Sequence, residues 1–173
     1  MTRVVLSIGS NLGDRLARLQ SVVDGLGEAL VAVSPVYETL PWGGVEQGPF
    51  LNAVLIADDP ATDCRGWLER GQELERAAER VRGARWGPRT LDVDLISCTA
   101  GDSELFVREP DLTLPHPLAH QRAFVLAPWS AVDPGAQLAV AGVRQPVARL
   151  LAELDPVDRD GVRATDLALR SEV

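Results

Sequence analysis

The sequence predicts an α+β domain in which helices pack on an antiparallel sheet, and three observations support this prediction. Strand-like and helix-like segments follow one another in the order β-α-β-β-α-β over residues 3–98. The strand-like runs are rich in β-branched residues and are bounded by glycine or proline. The helix-like segments repeat apolar residues at spacings of three and four, which gives each helix one apolar face. This order is that of the ferredoxin-like βαββαβ core, an antiparallel sheet with two helices on one face.

Four strands are predicted for this core, at residues 3–9, 30–40, 50–58 and 91–98. Pro35 indicates an edge or a bulge in the second strand, because proline donates no hydrogen bond to a sheet. Between the second and third strands, residues 41–49 carry two prolines and three glycines, so we predict a mobile loop there.

The two core helices are predicted from their apolar stripes and from the polar residues that precede them. We expect Ser10 or Asn11 to cap the first helix. We expect the second helix to open at Thr62 or Asp63 and to run to about Val81.

Beyond the core, the sequence predicts extra short strands and helices: short strands and a loop in 103–117, one or two short helices in 118–132, and a last helix in 146–155. Pro128 is expected to interrupt the middle segment, because proline breaks the hydrogen-bond pattern of a helix. We assign residues 1–155 to one domain and residues 156–173 to a loosely packed C-terminal tail.

Composition narrows the class of protein. A length of 173 residues predicts one domain. The net charge of -8 and the pI near 4.7 argue against a nucleic-acid partner, because binding to a phosphate backbone needs a positive surface. No apolar run approaches the roughly 18 residues that a membrane span requires. The chain enters strand-like sequence without a signal peptide, so we expect a cytoplasmic protein. We also expect a monomer that binds neither nucleic acid nor membranes.

All 17 basic residues are arginines, which excludes Schiff-base chemistry and a phosphate-loop lysine. For the same reason "GSNLGD" at 9–14 is read as a strand-to-helix turn, since an aspartate stands where a phosphate loop requires lysine. Cys64 and Cys98 match no metal-ligand spacing and are interpreted as two buried free thiols.

Two aspartates stand in the fourth predicted strand, where "LDVDLI" places one valine between them. Side chains at i and i+2 of a strand point to the same face, so Asp92 and Asp94 present two carboxylates side by side. Magnesium prefers hard oxygen ligands, often one or two carboxylates together with substrate phosphates. The alternative is a pair of ordinary aspartates that form salt bridges with neighbouring arginines.

Five arginines fall within 14 residues just ahead of these aspartates: Arg76, Arg80, Arg82, Arg85 and Arg89. Guanidinium groups bind phosphate oxygens in bidentate pairs, so the cluster favours a local anion site. The alternative is a solvated helix face paired with glutamates at i+3 and i+4, which accounts for Arg76 better than for Arg85 or Arg89. Carboxylates beside phosphate-binding arginines are typical of phosphoryl transfer.

Further candidates lie on the third strand and downstream. Phe50 and Asn52 offer an aromatic face beside an amide, and a buried amide needs hydrogen-bond partners. His116 is held between two prolines in "LPHP", which favours a phosphate contact over an incidental histidine. Arg122 and Phe124 follow it closely.

Together these residues resemble the family of 6-hydroxymethyl-7,8-dihydropterin pyrophosphokinases, enzymes of folate biosynthesis. "RWGPRTLDVDLI" at 85–96 is similar to that family's signature, and the resemblance continues through "IGSNLGDR", "SPVYETLPWG", "FLNAV", "LPHP" and "RAFVLAP", over roughly residues 3–152. It implies transfer of a pyrophosphoryl group from ATP to the hydroxymethyl group of the pterin, giving AMP, with two Mg²⁺ ions. It also implies the ferredoxin-like fold and makes 1–155 a pyrophosphokinase domain.

The resemblance implies a set of site residues as well. Asp92 and Asp94 would hold both magnesium ions, and Arg82 and Arg89 would join them as catalytic residues. The implied ATP-binding residues are Gln72, Arg82, Arg85, Trp86, Arg89, Thr113, His116 and Arg122. The implied pterin-binding residues are Thr39 and Trp42 through their backbones, Asn52 through its amide, and Phe50 and Phe124 on the two faces of the ring.

The sequence departs from the family at three positions. Some members carry a lysine where this chain has Gly83 and an arginine where it has Asp111, and many have a tyrosine where it has Phe50.

Two other classes of protein fit a weaker interpretation of the sequence. One is a ferredoxin-like binding module, for RNA or for a small regulatory molecule, although RNA-binding aromatic motifs are absent. The other is a metal-dependent nucleotidyl or sugar-nucleotide transferase with an Asp-x-Asp pair.

Overall fold

A computed structural model describes residues 2–40, 48–80 and 91–171, and its main element is one seven-stranded sheet. The strands of this sheet and of two separate hairpins are, in chain order, β1 (Thr2–Ser10), β2 (Leu30–Val33), β3 (Tyr37–Thr39), β4 (Phe50–Asp59), β5 (Asp92–Ala100), β6 (Ser103–Glu104), β7 (Val107–Glu109), β8 (Leu112–Leu114), β9 (Gln137–Val140), β10 (Val143–Pro146) and β11 (Val162–Ala164). The helices are α1 (Arg15–Leu26), α2 (Cys64–Arg80), α3 (Ala123–Val132), α4 (Val147–Ala152) and α5 (Pro156–Asp160).

The sheet has the strand order β11-β3-β4-β1-β5-β6, with β2 also paired to β4. Strand β1 lies at its centre and pairs antiparallel with β4 on one side and β5 on the other. Strands β7 and β8 form a separate hairpin, and so do β9 and β10. The predicted α+β class and the βαββαβ order of the core are therefore confirmed.

Each face of the sheet carries its own hydrophobic core. Helices α1 and α2 pack on one face, where Leu19 and Trp67 meet Leu55 of β4. Helices α3 and α4 pack on the other face, where Trp129 meets Val54. Because α3 is apolar around most of its circumference, it is buried between the sheet and α4. The sheet thus has helices on both faces, and the two helices of the βαββαβ core share one of them.

Two predictions about the N-terminal half are corrected. The strand predicted at 30–40 is two strands, β2 and β3, because the chain turns at Ser34, whose N–H donates to Val54 O and whose hydroxyl accepts from Val54 N–H. Helix α1 is capped by Asp14, whose carboxylate accepts from Ala17 N–H, while Ser10 belongs to β1. A side chain caps a helix only from the residue that immediately precedes it, and α1 begins later than predicted.

The second core helix begins as predicted. Asp63 Oδ1 accepts from Gly66 N–H at 2.7 Å, and α2 runs through Arg80. The predicted interruption at Pro128 is wrong, because α3 continues through it to Val132. Proline loses only the hydrogen bond to the residue four positions back, here Phe124 at the start of the helix, and Pro128 is buried.

The C-terminal tail, predicted to be loosely packed, is joined to the sheet. Strand β11 pairs antiparallel with β3, and Leu40 N–H donates to Gly161 O at 3.0 Å. Further along, Gln20 exchanges two hydrogen bonds with the backbone of Arg170. Backbone pairing holds this segment together with Leu169, which packs against the first core, and a polar sequence does not reveal such pairing. In the described ranges, no helix has the length and apolar character needed to cross a membrane.

Candidate active site

The candidate site lies on the sheet face that carries α3, at one end of the three central strands. Gly9 of β1 is opposite Asn52 of β4 on one side and opposite Asp92 of β5 on the other. Two residues before Gly9 in β1, Ser7 is opposite Asp94. Residues directly opposite in an antiparallel pair share a face, so the predicted pterin amide and the two predicted metal carboxylates lie on one surface.

Asp94 lies beside two of the predicted nucleotide residues. Arg122 immediately precedes α3, and its guanidinium Nη1 lies 4.0 Å from Asp94 Oδ2. The guanidinium carbon Cζ lies 5.5 Å from the centre of the Phe124 ring. His116 is held against β5, the strand that carries Asp94, because its backbone N–H donates to Ile96 O at 2.8 Å. The fold therefore brings Asp94, His116, Arg122 and Phe124 into one cluster.

The protonation state of His116 follows from its surroundings. Burial lowers the pKa of the imidazole below its ordinary value of 6.5, the positive charge of Arg122 lowers it further, and the charge of Asp94 acts in the opposite direction. The Nδ1 atom accepts a hydrogen bond from Leu118 N–H at 3.1 Å. The ring is therefore neutral near pH 7, with its proton on Nε2, where it can donate to a phosphate oxygen.

Thr39 and Asn52 form a buried polar pair at the other end of the site. The Thr39 hydroxyl donates to Asn52 Oδ1 at 2.6 Å, and the two residues are 8% and 5% exposed. Phe50, two residues before Asn52 on the same face, is half-buried. The hydrogen bond fixes the orientation of the amide, so its Nδ2 donors face the surface between β4 and β1.

A cavity of about 670 Å³ opens beside this pair. Its wall includes the predicted site residues Thr39, Arg122 and Phe124, and on the far side the tail contributes Val157, Asp158, Gly161 and Val162. This contribution of the tail was not predicted from the sequence. No local pattern could have indicated it, because the tail reaches the cavity only through the pairing of β11 with β3.

The remaining predicted nucleotide residues are less closely gathered. Gln72 on α2 and Thr113 on β8 are both exposed. Arg65 joins helix α2 to the hairpin of β7 and β8. Its guanidinium forms two hydrogen bonds with Asp111 in the turn of the hairpin, at 2.7 and 3.0 Å, and also pairs with Glu109 of β7. Asp111, one of the positions where the sequence departs from the family, is thus neutralised by a partner from α2. The predicted residues Trp42, Arg82, Arg85, Trp86 and Arg89 lie outside the described ranges.

The carboxylates suit a hard divalent cation. Asp92 and Asp94 extend from one face of β5, and the Asp94 side chain is 45% exposed, so water and phosphate oxygens can complete an octahedron around an ion held there. Among the described residues, no group of three His, Cys, Asp or Glu side chains converges on one point. The two carboxylates therefore fit Mg²⁺ that shares its coordination with water and a substrate.

A ferredoxin-like sheet with paired carboxylates beside an arginine and a neutral histidine is the kind of site that phosphoryl-transfer enzymes use. A family model described as 7,8-dihydro-6-hydroxymethylpterin-pyrophosphokinase (HPPK) matches residues 5–134. The chain belongs to this family of pyrophosphokinases.

Curated relatives agree with this assignment. The chain is 71% identical over 168 residues to the 2-amino-4-hydroxy-6-hydroxymethyldihydropteridine pyrophosphokinase of Mycobacterium tuberculosis, a match that covers 94% of this chain and 89% of the relative. It is 68% identical to the enzyme of the same name from Mycobacterium leprae, with 98% and 92% covered. At 40% identity, the Methylorubrum extorquens enzyme of that name matches 90% of this chain and 96% of its own length.

Solved structures with low identity share the fold. A Plasmodium falciparum HPPK-DHPS A437G structure with SDX-DHP superimposes with a TM-score of 0.65 at 13% identity, covering 88% of this chain and 45% of that chain. A wild-type HPPK-DHPS structure with pterin and p-hydroxybenzoate gives a TM-score of 0.64 at 13% identity. This chain thus spans less than half the length of those proteins, and their likeness extends to the fold alone.

Proposed function

We propose that this chain transfers a pyrophosphoryl group from ATP to the hydroxymethyl group of 6-hydroxymethyl-7,8-dihydropterin, giving AMP and the pterin diphosphate, in folate biosynthesis. The observation that carries the proposal is the register of the central strands, in which Asn52 of β4, Gly9 of β1 and Asp92 of β5 lie side by side and Asp94 follows two residues after Asp92. This register places the Asn52 amide, which suits the edge of a heterocycle, on the same surface as two carboxylates that suit magnesium.

The acceptor heterocycle binds at the Thr39 end of this row. Asn52 offers its Nδ2 donors and the remaining lone pair of Oδ1 to the amide-like edge of the ring. Phe50 and Phe124 supply aromatic faces for stacking, and stacking of this kind holds a flat ring without fixing its edge. This orientation directs the hydroxymethyl group toward Asp92 and Asp94.

The triphosphate of ATP binds at the other end. Asp92 and Asp94 would hold Mg²⁺, which would supply neutralisation of phosphate charge and polarisation of the reacting groups. Arg122 and His116 Nε2 donate to phosphate oxygens, and Arg122 stays close to Asp94 through its 4.0 Å contact. The pterin hydroxyl oxygen then attacks the β-phosphorus in line as the bond from that phosphorus to the α,β-bridging oxygen breaks. AMP leaves with the bridging oxygen, and Asp94 accepts the hydroxyl proton.

Several finer features belong to the same proposal. We propose two magnesium ions, with Gln72 and Thr113 near the nucleoside and with Arg82, Arg85, Trp86 and Arg89 at the phosphates. Trp42 would contribute its backbone to the pterin.

We also propose that residues 1–155 carry every residue that acts in the pyrophosphokinase reaction, while the segment 156–173 completes the domain through the pairing of β11 with β3. The protein would work as a cytoplasmic monomer without nucleic acid.

The test is an incubation with ATP, magnesium and the hydroxymethyl dihydropterin, followed by separation of the nucleotides. The expected result is AMP and pterin diphosphate in equal amounts, with no product when the pterin is omitted or magnesium is chelated. Formation of ADP, or the absence of any product from a folded protein, would refute the proposal and favour the rival classes of transferase or binding module.

A further inference from the structure

The segment 161–170, which we call the C-terminal strap, runs along the outer edge of β3 and is attached there by its backbone. Leu40 N–H donates to Gly161 O at 3.0 Å, and at the other end of the pairing Thr165 N–H donates to Val36 O at 3.1 Å. The Thr165 hydroxyl donates to the same carbonyl oxygen at 2.8 Å. The strap therefore lies against β3 from one end of that strand to the other.

The middle of this pairing is hydrogen-bonded as well. Hydrogen-bonded and non-hydrogen-bonded residue pairs alternate along two antiparallel strands. The bonds at Leu40 and Thr165 lie four residues apart, so the pair of Arg163 with Glu38 halfway between them is also a hydrogen-bonded pair. The Arg163 side chain is exposed, so this residue holds β3 through its backbone.

The strap has a second point of attachment on helix α1. Gln20 Nε2 donates to Arg170 O at 2.8 Å, and Gln20 Oε1 accepts from Arg170 N–H at 2.9 Å. Leu169, the preceding residue, packs against the first core. The strap is thus fixed at both ends, to the edge of the sheet and to α1.

Strand β3 depends on the strap because β3 is short. On its other side β3 forms only three residue pairs with β4. Without the strap, β3 would be an edge strand held from one side. Short strands with few contacts open locally at a low cost in free energy.

Strand β3 also carries the hydroxyl that orients the amide of the acceptor site. Val162 of the strap is opposite Thr39, and the Thr39 hydroxyl donates to Asn52 Oδ1 at 2.6 Å. Gly161 and Val162 line the cavity beside this buried pair. Opening of β3 would therefore remove the donor that fixes the Asn52 amide and would admit water to the pair.

We propose that the C-terminal strap is a positioning element for the acceptor: it holds β3 in place and thereby keeps the Thr39 hydroxyl on the Asn52 amide. This inference rests on the proposed function and adds to it a segment that supplies no reacting group. The effect is confined to the acceptor end, because four strand spacings of about 4.8 Å, or about 19 Å in all, separate β11 from β5 and its carboxylates. Attachment of the strap and binding of the acceptor favour each other, since such coupling is reciprocal.

The main experiment compares Arg163→Pro with wild type by calorimetric titration. A non-hydrolysable ATP analogue with magnesium is titrated first, and the hydroxymethyl dihydropterin is then titrated into that complex. Proline at position 163 removes the backbone N–H that faces Glu38. We expect the pterin Kd to rise at least fivefold and the Kd of the nucleotide analogue to change less than twofold.

Two control variants separate this effect from loss of a side chain and from loss of stability. Arg163→Ala removes the same side chain and keeps the N–H. Gln145→Pro places a proline in β10 opposite Leu138, in a hairpin that is not part of the sheet. Both controls should leave the pterin Kd within twofold of wild type. An equal rise for Gln145→Pro would show that any loss of stability weakens binding, and it would overturn the inference.

A double-mutant cycle tests whether the strap acts through Thr39. In a Thr39→Val background the hydroxyl is already absent, so Arg163→Pro should weaken pterin binding less than twofold there. Equal effects in both backgrounds, or a pterin Kd within twofold of wild type for folded Arg163→Pro, would overturn the inference alone. Wild type that binds no pterin would overturn the proposed function and the inference with it.

Hydrogen exchange of the wild-type protein tests the coupling without any substitution, which matters if Arg163→Pro does not fold. Saturating pterin should slow exchange of the Thr165 amide at least fivefold, because a ligand that favours the attached strap lowers the population of the open state. Exchange of the Gln145 amide should stay within twofold. A Thr165 exchange rate that saturating pterin leaves unchanged would contradict the proposed role of the strap.

Discussion

Replacing Thr39 by valine tests the polar pair on which the orientation of the pterin site depends. Valine keeps the shape and the β-branch that strand β3 favours, and it removes one hydroxyl. That hydroxyl donates to Asn52 Oδ1 at 2.6 Å inside a buried pair. The substitution therefore leaves the Asn52 carbonyl oxygen without this donor, in a place that water reaches poorly.

The cost follows from the burial of both residues. Removing one partner of a buried hydrogen bond costs about 1–3 kcal/mol, since the group left behind keeps its full desolvation penalty. For a domain of this size a loss of about 2 kcal/mol lowers the melting temperature by about 4–8 °C. The freed amide can also rotate, so we expect the pterin Kd to rise several-fold while the nucleotide Kd stays unchanged.

Thermal unfolding followed by circular dichroism measures the first effect, and calorimetric titration measures the second. The matched control is Thr99→Val in β5, because the Thr99 hydroxyl makes only a 3.5 Å contact with Arg3 O at an exposed position. That control should change the free energy of unfolding by less than about 0.5 kcal/mol. If Thr39→Val melts no lower than Thr99→Val and binds the pterin normally, the Thr39 hydroxyl does not hold the amide.

Three further predictions concern the metal site, the histidine and the tail. Asp94→Ala should abolish AMP formation and leave the circular dichroism spectrum unchanged; near-normal turnover by the folded variant would refute the metal assignment. His116 has a folded-state pKa below its unfolded value of about 6.5, so its contribution to stability is complete above that pH and is lost as the pH falls through the folded pKa. His116→Asn should therefore flatten the dependence of melting temperature on pH below about 6.5, and an unchanged slope would contradict this. Arg163→Pro should weaken the pairing of β11 with β3 opposite Glu38, lower stability by about 1–2 kcal/mol and speed hydrogen exchange in β3; unchanged exchange there would show that the pairing is dispensable.

The core elements could be predicted because their signals are local. Apolar spacing along α2 and the carboxylate of Asp63 ahead of it are properties of neighbouring residues, and the structure confirms both. The shared face of Asp92 and Asp94 follows from the period of a strand in the same way. The capping residue of α1 was predicted wrongly, because several polar residues precede that helix and only its true start selects Asp14.

The sequence by itself determined the α+β class, the order of the core elements and the chemical types of the candidate site, since each depends on residues close together in the chain. Only the tertiary structure decided which of them meet. The register that puts Gly9 between Asn52 and Asp92 joins strands far apart in sequence, and the pairing of Arg65 with Asp111 joins a helix to a hairpin. The attachment of the tail to β3 rests on backbone hydrogen bonds, which every residue except proline can donate and which therefore leave no mark in a polar sequence.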